Sequence, residues 1–313
     1  MSIHGLWSRV LYLGLGVLLI AAPLARAQVP PLPPETELTH LAVSPGGRVV
    51  AFYPEGWALT LNEAGFSLVA PDLGPSGVVQ LDFRIQPGTF DPALPWPDWL
   101  MTLADVPAGS VFTPVNYGNA EGWIAQGAGW QSPQTFEGLA LLPLNPAEWV
   151  TIHIAFPETD LPRVAPVITA VLENLVLLPG VVEDGRGLRV NLPLDWRIAP
   201  GESLLLAAAS EDDLARRLAG QFSNLSVSFR QTERKTLREP GLQEEVLAFQ
   251  INENPAFALL SIDPLRGTGL LEVEQQIGPG QVAVMQALAA NPETLQENLP
   301  LLLSLAASMR TVT

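Results

Sequence analysis

The chain contains no cysteine. This excludes disulfides, thiolate nucleophiles, thiolate metal ligands and a lipid-modified N-terminal cysteine together. An exported protein built without disulfides is common in bacteria and unusual among eukaryotic secreted domains. Histidine occurs only at His4, His40 and His153, and lysine only at Lys235. That leaves no usual zinc set and no Cys–His pair. Neither a Gly-x-Ser-x-Gly elbow nor a Ser-x-x-Lys nucleophile is present. The regular Asp-x-Asp-x-Asp-Gly calcium loop is missing as well. No catalytic residue, metal centre or cofactor is therefore expected. Charge is scarce at 15 % of residues, and 32 acids outnumber 16 bases, for a net charge of −16. Such a field repels nucleic acid and anionic lipid and favours cationic partners.

The chain is 313 residues long and 48 % apolar, enough for two domains with sizeable cores. Its start reads as an export signal. Met1 to Arg9 is short and basic, Val10 to Ala22 is apolar, and Ala25-Arg26-Ala27 has the small-x-small spacing of a signal-peptidase site. Residues 1–27 are thus expected to be removed, leaving Gln28 first. The alternative is an uncleaved anchor, although the apolar run falls short of the ~20 residues that a spanning helix needs. Either way the folded part is extracytoplasmic, secreted or periplasmic, with membrane contact only through an uncleaved N-terminus. Residues 28–37 hold Pro30, Pro31, Pro33 and Pro34 and form a Pro-rich linker.

Two stretches organise the remainder. Tyr53-Pro54-Glu55-Gly56-Trp57 and Leu192-Pro193-Leu194-Asp195-Trp196 each read as a strand, a tight Pro turn and a Trp opening the next strand. Each opens a region that closes alike, with Pro157-Glu158-Thr159 before a helix near 161–175 and Pro292-Glu293-Thr294 before a helix near 295–309. A repeated opening and closing predict one module present twice, over 38–178 and 179–313. Between them run short strands with turn signals. Val78 to Ile85, for example, alternates apolar and polar residues as a half-buried strand does. In the first closing helix Leu161, Val164, Val167, Ile168, Val171, Leu172 and Leu175 form one apolar stripe. Ser210 caps a short helix with Glu211, Asp212 and Asp213 in its first turn.

This order of paired strands around a Pro-x-x-Trp turn, hairpin, antiparallel meander and terminal helix resembles the PsbP-like α/β/α sandwich. Tyr53 to Trp57, Leu192 to Trp196 and the two closing helices carry the resemblance. It implies an α+β fold of two tandem α/β/α-sandwich-like domains, each an antiparallel sheet with a C-terminal helix packed on it. It also implies a non-enzymatic binding or assembly module.

Two groups of residues are candidates for contact. Trp96 and Trp99 lie in an insertion over 86–109, and Trp123 and Trp130 bracket a strand near Gly127 to Gly129. Indoles on loops serve protein or sugar contacts, and core packing is the alternative for each. Arg230, Arg234, Lys235 and Arg238 form a basic cluster interleaved with Glu233 and Glu239. It reads as a docking patch for an acidic partner or as a solvated edge with local ion pairs. His153 falls on the face of its strand opposite Ile152 and Ile154. The expected function is an exported binding or assembly module of the bacterial envelope or exterior, contacting a protein partner mainly through the Trp-rich first half. Carbohydrate or cell-wall binding through the same indoles is the alternative, and a carboxylate-based hydrolase the third reading.

Overall fold

In the computed structural model, the strand Val49–Tyr53 (β2) is buried along its whole length. The model describes residues 38–70, 78–88, 106–107, 110–128, 130, 133–200, 205–221, 223–233, 245–263 and 267–312, all within one compact unit, 36–313. Its sequence, Val-Val-Ala-Phe-Tyr, is β-branched and aromatic throughout, which suits a strand covered on both sides. It pairs antiparallel with His40–Val43 (β1) across a turn. There the Ser44 hydroxyl accepts from the backbone N–H groups of Arg48 (3.2 Å) and Val49 (3.1 Å). Alternate side chains of this hairpin enter two different cores. Leu41, Val43, Val50 and Phe52 join one; Ala42, Val49, Ala51 and Tyr53 join the other.

The strands that follow build the first large sheet. They are Ala58–Asn62 (β3), Gly65–Ala70 (β4), Val79–Pro87 (β5), Thr113–Tyr117 (β6), Ala120–Ala128 (β7), Thr135–Asn145 (β8) and Glu148–Pro157 (β9). Their order is β3-β4-β5-β9-β8-β7-β6, antiparallel throughout. The helix Leu161–Glu173 (α1) lays Val164, Val167, Ile168, Val171 and Leu172 on its inner face. Val176–Leu177 (β10) then returns to pair with β2.

The second half begins with Gly180–Glu183 (β11) and Leu188–Leu192 (β12), continues through Arg197–Pro200 (β13) and Leu205–Ala208 (β14), and reaches the helix Glu211–Leu218 (α2). Leu225–Glu233 (β15), Glu245–Ile251 (β16), Asn254–Asp263 (β17), Thr268–Gly278 (β18) and Gln281–Ala289 (β19) follow. The chain closes with Pro292–Glu297 (α3), Leu299–Ala307 (α4) and Arg310–Thr311 (β20). The order of the first sheet recurs ten strands later as β13-β14-β15-β19-β18-β17-β16. Here, however, the edge continues: β1 adds in parallel to β16, extending it to a ten-stranded sheet that ends β16-β1-β2-β10. β11, β12 and β20 form a separate three-stranded sheet. Trp57 and Trp196 are buried, one in each core.

This architecture corrects the α/β/α-sandwich expectation. The fold is mostly β, with large multistrand sheets and few helices. The apolar stripe of α1 is buried, but among the described residues no helix is longer than its 13 residues. The closing helix of the second half is also divided. Its N-cap is Asn291, whose side chain accepts from Thr294 N at 2.8 Å, and it breaks at Asn298, before Pro300. A proline cannot donate to the preceding turn and clashes with its carbonyl.

Two asparagines tie the hairpin sheet into place. Asn119, in the β6–β7 turn, accepts from Leu177 N at 2.8 Å and donates to Leu177 O at 2.9 Å. Asn252, in the β16–β17 turn, accepts from Val43 N at 2.7 Å and donates to Val43 O at 3.1 Å. Each side-chain amide supplies the donor and acceptor that a neighbouring strand would have supplied.

Candidate functional site

The alternation of β9 sends Val150, Ile152 and Ile154 into the core and Trp149, Thr151 and His153 to the outer face of the seven-stranded sheet. Trp149 sits opposite Pro143 on β8, while Trp123 on β7 sits opposite Leu141 and Pro114. The two indoles meet with ring centroids 6.3 Å apart and planes tilted by 46°. Trp149 is 3 % exposed and donates Nε1–H to Gly88 O at 2.9 Å. Val106, Phe112 and Leu139 pack around them, each partly buried.

Trp123 and Trp130 both keep partial exposure. A Cβ placed on Gly127 would lie 2.2 Å from Trp130 Nε1, so the second indole rests on the bare backbone of that glycine. Gly127 follows Trp123 by four residues on the same face, about 13 Å along the strand. Val111, 78 % exposed, precedes β6, the edge strand of the sheet among the described residues. The outcome is an aromatic and aliphatic surface at one end of the sheet.

A polar row crosses the same face. Asp82 is nearly buried and accepts from Ser67 Oγ and from Gln80 Nε2, the latter at 2.8 Å. It faces His153 across the β5–β9 ladder. His153 Nε2 lies 3.6 Å from Oε2 of the buried Glu137.

The structure does not gather the remaining sequence candidates here. Arg230 is exposed on β15, in the ten-stranded sheet. Trp96, Trp99, Arg234, Lys235 and Arg238 lie outside the described residues. Sequence reasoning missed Trp149 as the partner of Trp123. The signal for it was the combined register of β7, β8 and β9, which local alternation does not carry.

A second feature lies beside the β1–β2 turn. A cavity of about 260 Å³ is lined by residues including Ser44, Arg48, Glu63 and Glu148. Arg48 grips Glu148 with both terminal nitrogens, Nη2 to Oε1 at 2.9 Å, and Asn145 Nδ2 donates to the same carboxylate at 2.6 Å. The Arg48 hydrogen bond holds the Glu148 carboxyl below its ordinary range, against the opposing effect of partial burial. A depressed carboxylate stabilises the fold above its unfolded-state value, and that contribution disappears as the pH falls through the folded-state value. Glu148→Gln is therefore expected to cost about 1 kcal/mol or less at pH 7, because the pair is part exposed. Urea titrations at pH 7 and pH 3 check this, with the difference from wild type shrinking at pH 3.

No protein-family model matches the chain, and no characterised protein matches it in sequence. Among solved structures it is similar to a protein from Bacteroides thetaiotaomicron, at 13 % identity over 59 % of this chain and 58 % of that one, with a TM-score of 0.34. It is similar to TplEi, an immunity protein of the T6SS of Pseudomonas aeruginosa, at 13 % identity over 88 % and 98 % of the two chains and a TM-score of 0.24. A chain of the Tle4–Tli4 complex matches at 12 % identity over 89 % and 99 %, again with a TM-score of 0.24. Scores this low fall short of a shared fold. No helix among the described residues is long and apolar enough to cross a membrane, which leaves membrane-spanning strands unaddressed.

Proposed function

We propose that this chain is an exported, non-enzymatic binding module of the bacterial envelope or exterior. It holds a protein partner against the aromatic end of the seven-stranded sheet. One observation supports the reading: Trp123 and Trp130 stand part exposed on one outer face, beside the edge strand β6, which the exposed Val111 precedes. Large, rigid, partly wet indoles beside apolar surface are the side chains that most often dominate protein contacts. The signal-like residues 1–27 support an extracytoplasmic location.

The test uses residues 28–313 as immobilised bait for envelope extract of the source cell. Wild type is compared with a Trp123→Leu/Trp130→Ala variant whose melting temperature is measured alongside. The expected result is a discrete protein retained by wild type and reduced at least about tenfold in the folded variant, the effect of removing a binding hot spot. Equal retention by the variant rejects this surface. Retention of glycan alone replaces the protein partner with a sugar.

A further inference from the structure

The β12–β20 ladder sets Arg189 and Arg310 directly opposite each other. Like charges at opposed positions destabilise a strand pair. A third guanidinium, Arg48, acts on the same spot, and burial and these two neighbours together push the Arg310 pKa down. The three arginines are not equally provided for. Arg48 holds Glu148, and Arg189 holds Glu183 through Nε at 2.8 Å. Among the described residues, no carboxylate pairs with Arg310. Its side-chain hydrogen bond among these residues runs from Nη2 to Asn191 Oδ1 at 3.2 Å.

Arg310 is nevertheless held in a defined place. Asn191 is fully buried, donates Nδ2 to Gly46 O at 2.8 Å, and donates its own backbone N–H to Ser308 Oγ at 3.0 Å. Nη1 of Arg310 lies 2.0 Å from where a Cβ on Gly47 would stand, so the guanidinium rests against the bare Gly46–Gly47 turn. Half-burying a cation between two others costs stability unless an anion completes the set. It is notable that this occurs in a chain with a net charge of −16, where acids are plentiful.

We propose that Arg310, flanked by Arg48 and Arg189, is the receptor for a carboxylate that comes from outside the chain. A guanidinium presents parallel N–H donors that match a carboxylate in a fork. Arg48 already holds a carboxylate in such a fork and Arg189 holds one through two donors on a single oxygen, and among the described residues most donors of Arg310 are uncommitted. The carboxylate belongs either to a small organic acid or to an acidic peptide segment.

The experiment titrates the mature chain with glutarate, with phosphate and, separately, with a Glu-rich decapeptide, each against sodium chloride of equal ionic strength. The readouts are melting temperature and the NMR signal of the Arg310 Nε–H group. A carboxylate-specific rise of about 3 °C or more at saturation is expected, since a ligand that binds only the folded state stabilises it. Arg310→Met, which keeps the packing over Gly47, is expected to abolish the rise. Tighter binding of glutarate identifies a small acid as the source, and tighter binding of the peptide identifies a partner segment. An unchanged response in Arg310→Met overturns the proposal, as does a wild-type response no larger than that to chloride. An equal response to phosphate overturns the choice of carboxylate. Should Arg310→Met fail to fold, the wild-type Nε–H shift decides: movement with glutarate but not with chloride supports the site, and no movement overturns it.

Discussion

Residues 28–178 and 179–313, produced as separate chains, are expected to be unfolded or aggregated. The reason lies in the β1–β2 hairpin. Leu41, Val43, Val50, Phe52, Val176 and Leu178 come from the first half of the chain but fill the core of the second. Removing six such side chains, at roughly 1.5–3 kcal/mol each, takes away on the order of 10 kcal/mol. That is comparable to the whole stability of a typical domain, about 5–15 kcal/mol. The second half would also expose the β16 edge that β1 covers, an open invitation to intermolecular pairing. The first half would expose the apolar face that the hairpin turns toward the second core. Circular dichroism melts and size-exclusion profiles of each fragment, and of the two coexpressed, provide the measurement. Coexpression is expected to restore a cooperative transition. A full, sharp transition in residues 179–313 alone would show that the hairpin is dispensable.

Gly118→Ala is the point substitution with the largest expected effect. Gly118 occupies a left-handed conformation, with φ of 56°, at the first central position of the β6–β7 hairpin turn. That is where a two-residue turn calls for glycine. A Cβ there would lie 1.6 Å from the carbonyl oxygen of Leu175, which is backbone and cannot rotate away. Backbone strain alone costs about 1–3 kcal/mol. Relieving the overlap must also shift the turn and pull Asn119 from Leu177, the clamp that holds β10. The expected total is roughly 3 kcal/mol or more, a fall in melting temperature of about 6–12 °C. Gly185→Ala separates the two terms. Its φ is 73°, but nothing lies within 4 Å of the added carbon, so only the strain applies and the fall should be a third as large. Equal falls for both variants would mean that the Leu175 contact yields freely.

What could be read in advance follows from how local each signal is. The stripe of Val164, Val167, Ile168, Val171 and Leu172 announces a helix with one buried face, and that face is buried. Ser210 announces a cap, and its hydroxyl accepts from Asp213 N at 3.1 Å. The alternation from Val79 to Ile85 announces a half-buried strand, which β5 is. Each of these depends only on neighbours within a turn or two. The β1–β16 pairing joins residues more than 200 positions apart and leaves no mark on either strand's own pattern. Asn119 and Asn252 read as ordinary turn residues, because an asparagine that clamps a distant strand looks like one that closes its own turn. The same limit applies to the surfaces. Trp123 and Trp130 are visible as aromatic residues near a glycine run, but their shared face depends on register. Arg310 stands in a strand of two residues, too short to show which arginine it opposes.

The parallel pairing of β1 has a mechanical meaning. β1, His40–Val43, is the first strand of the folded unit in chain order. A pull on the N-terminal segment is therefore delivered along β1, whose ladders to β16 and β2 lie side by side with the line of force. Bonds loaded this way share the tension and must rupture together, whereas a strand peeled from its end loses them one at a time. If the N-terminus tethers the protein, the point of attachment is thus the strand best placed to resist being drawn out.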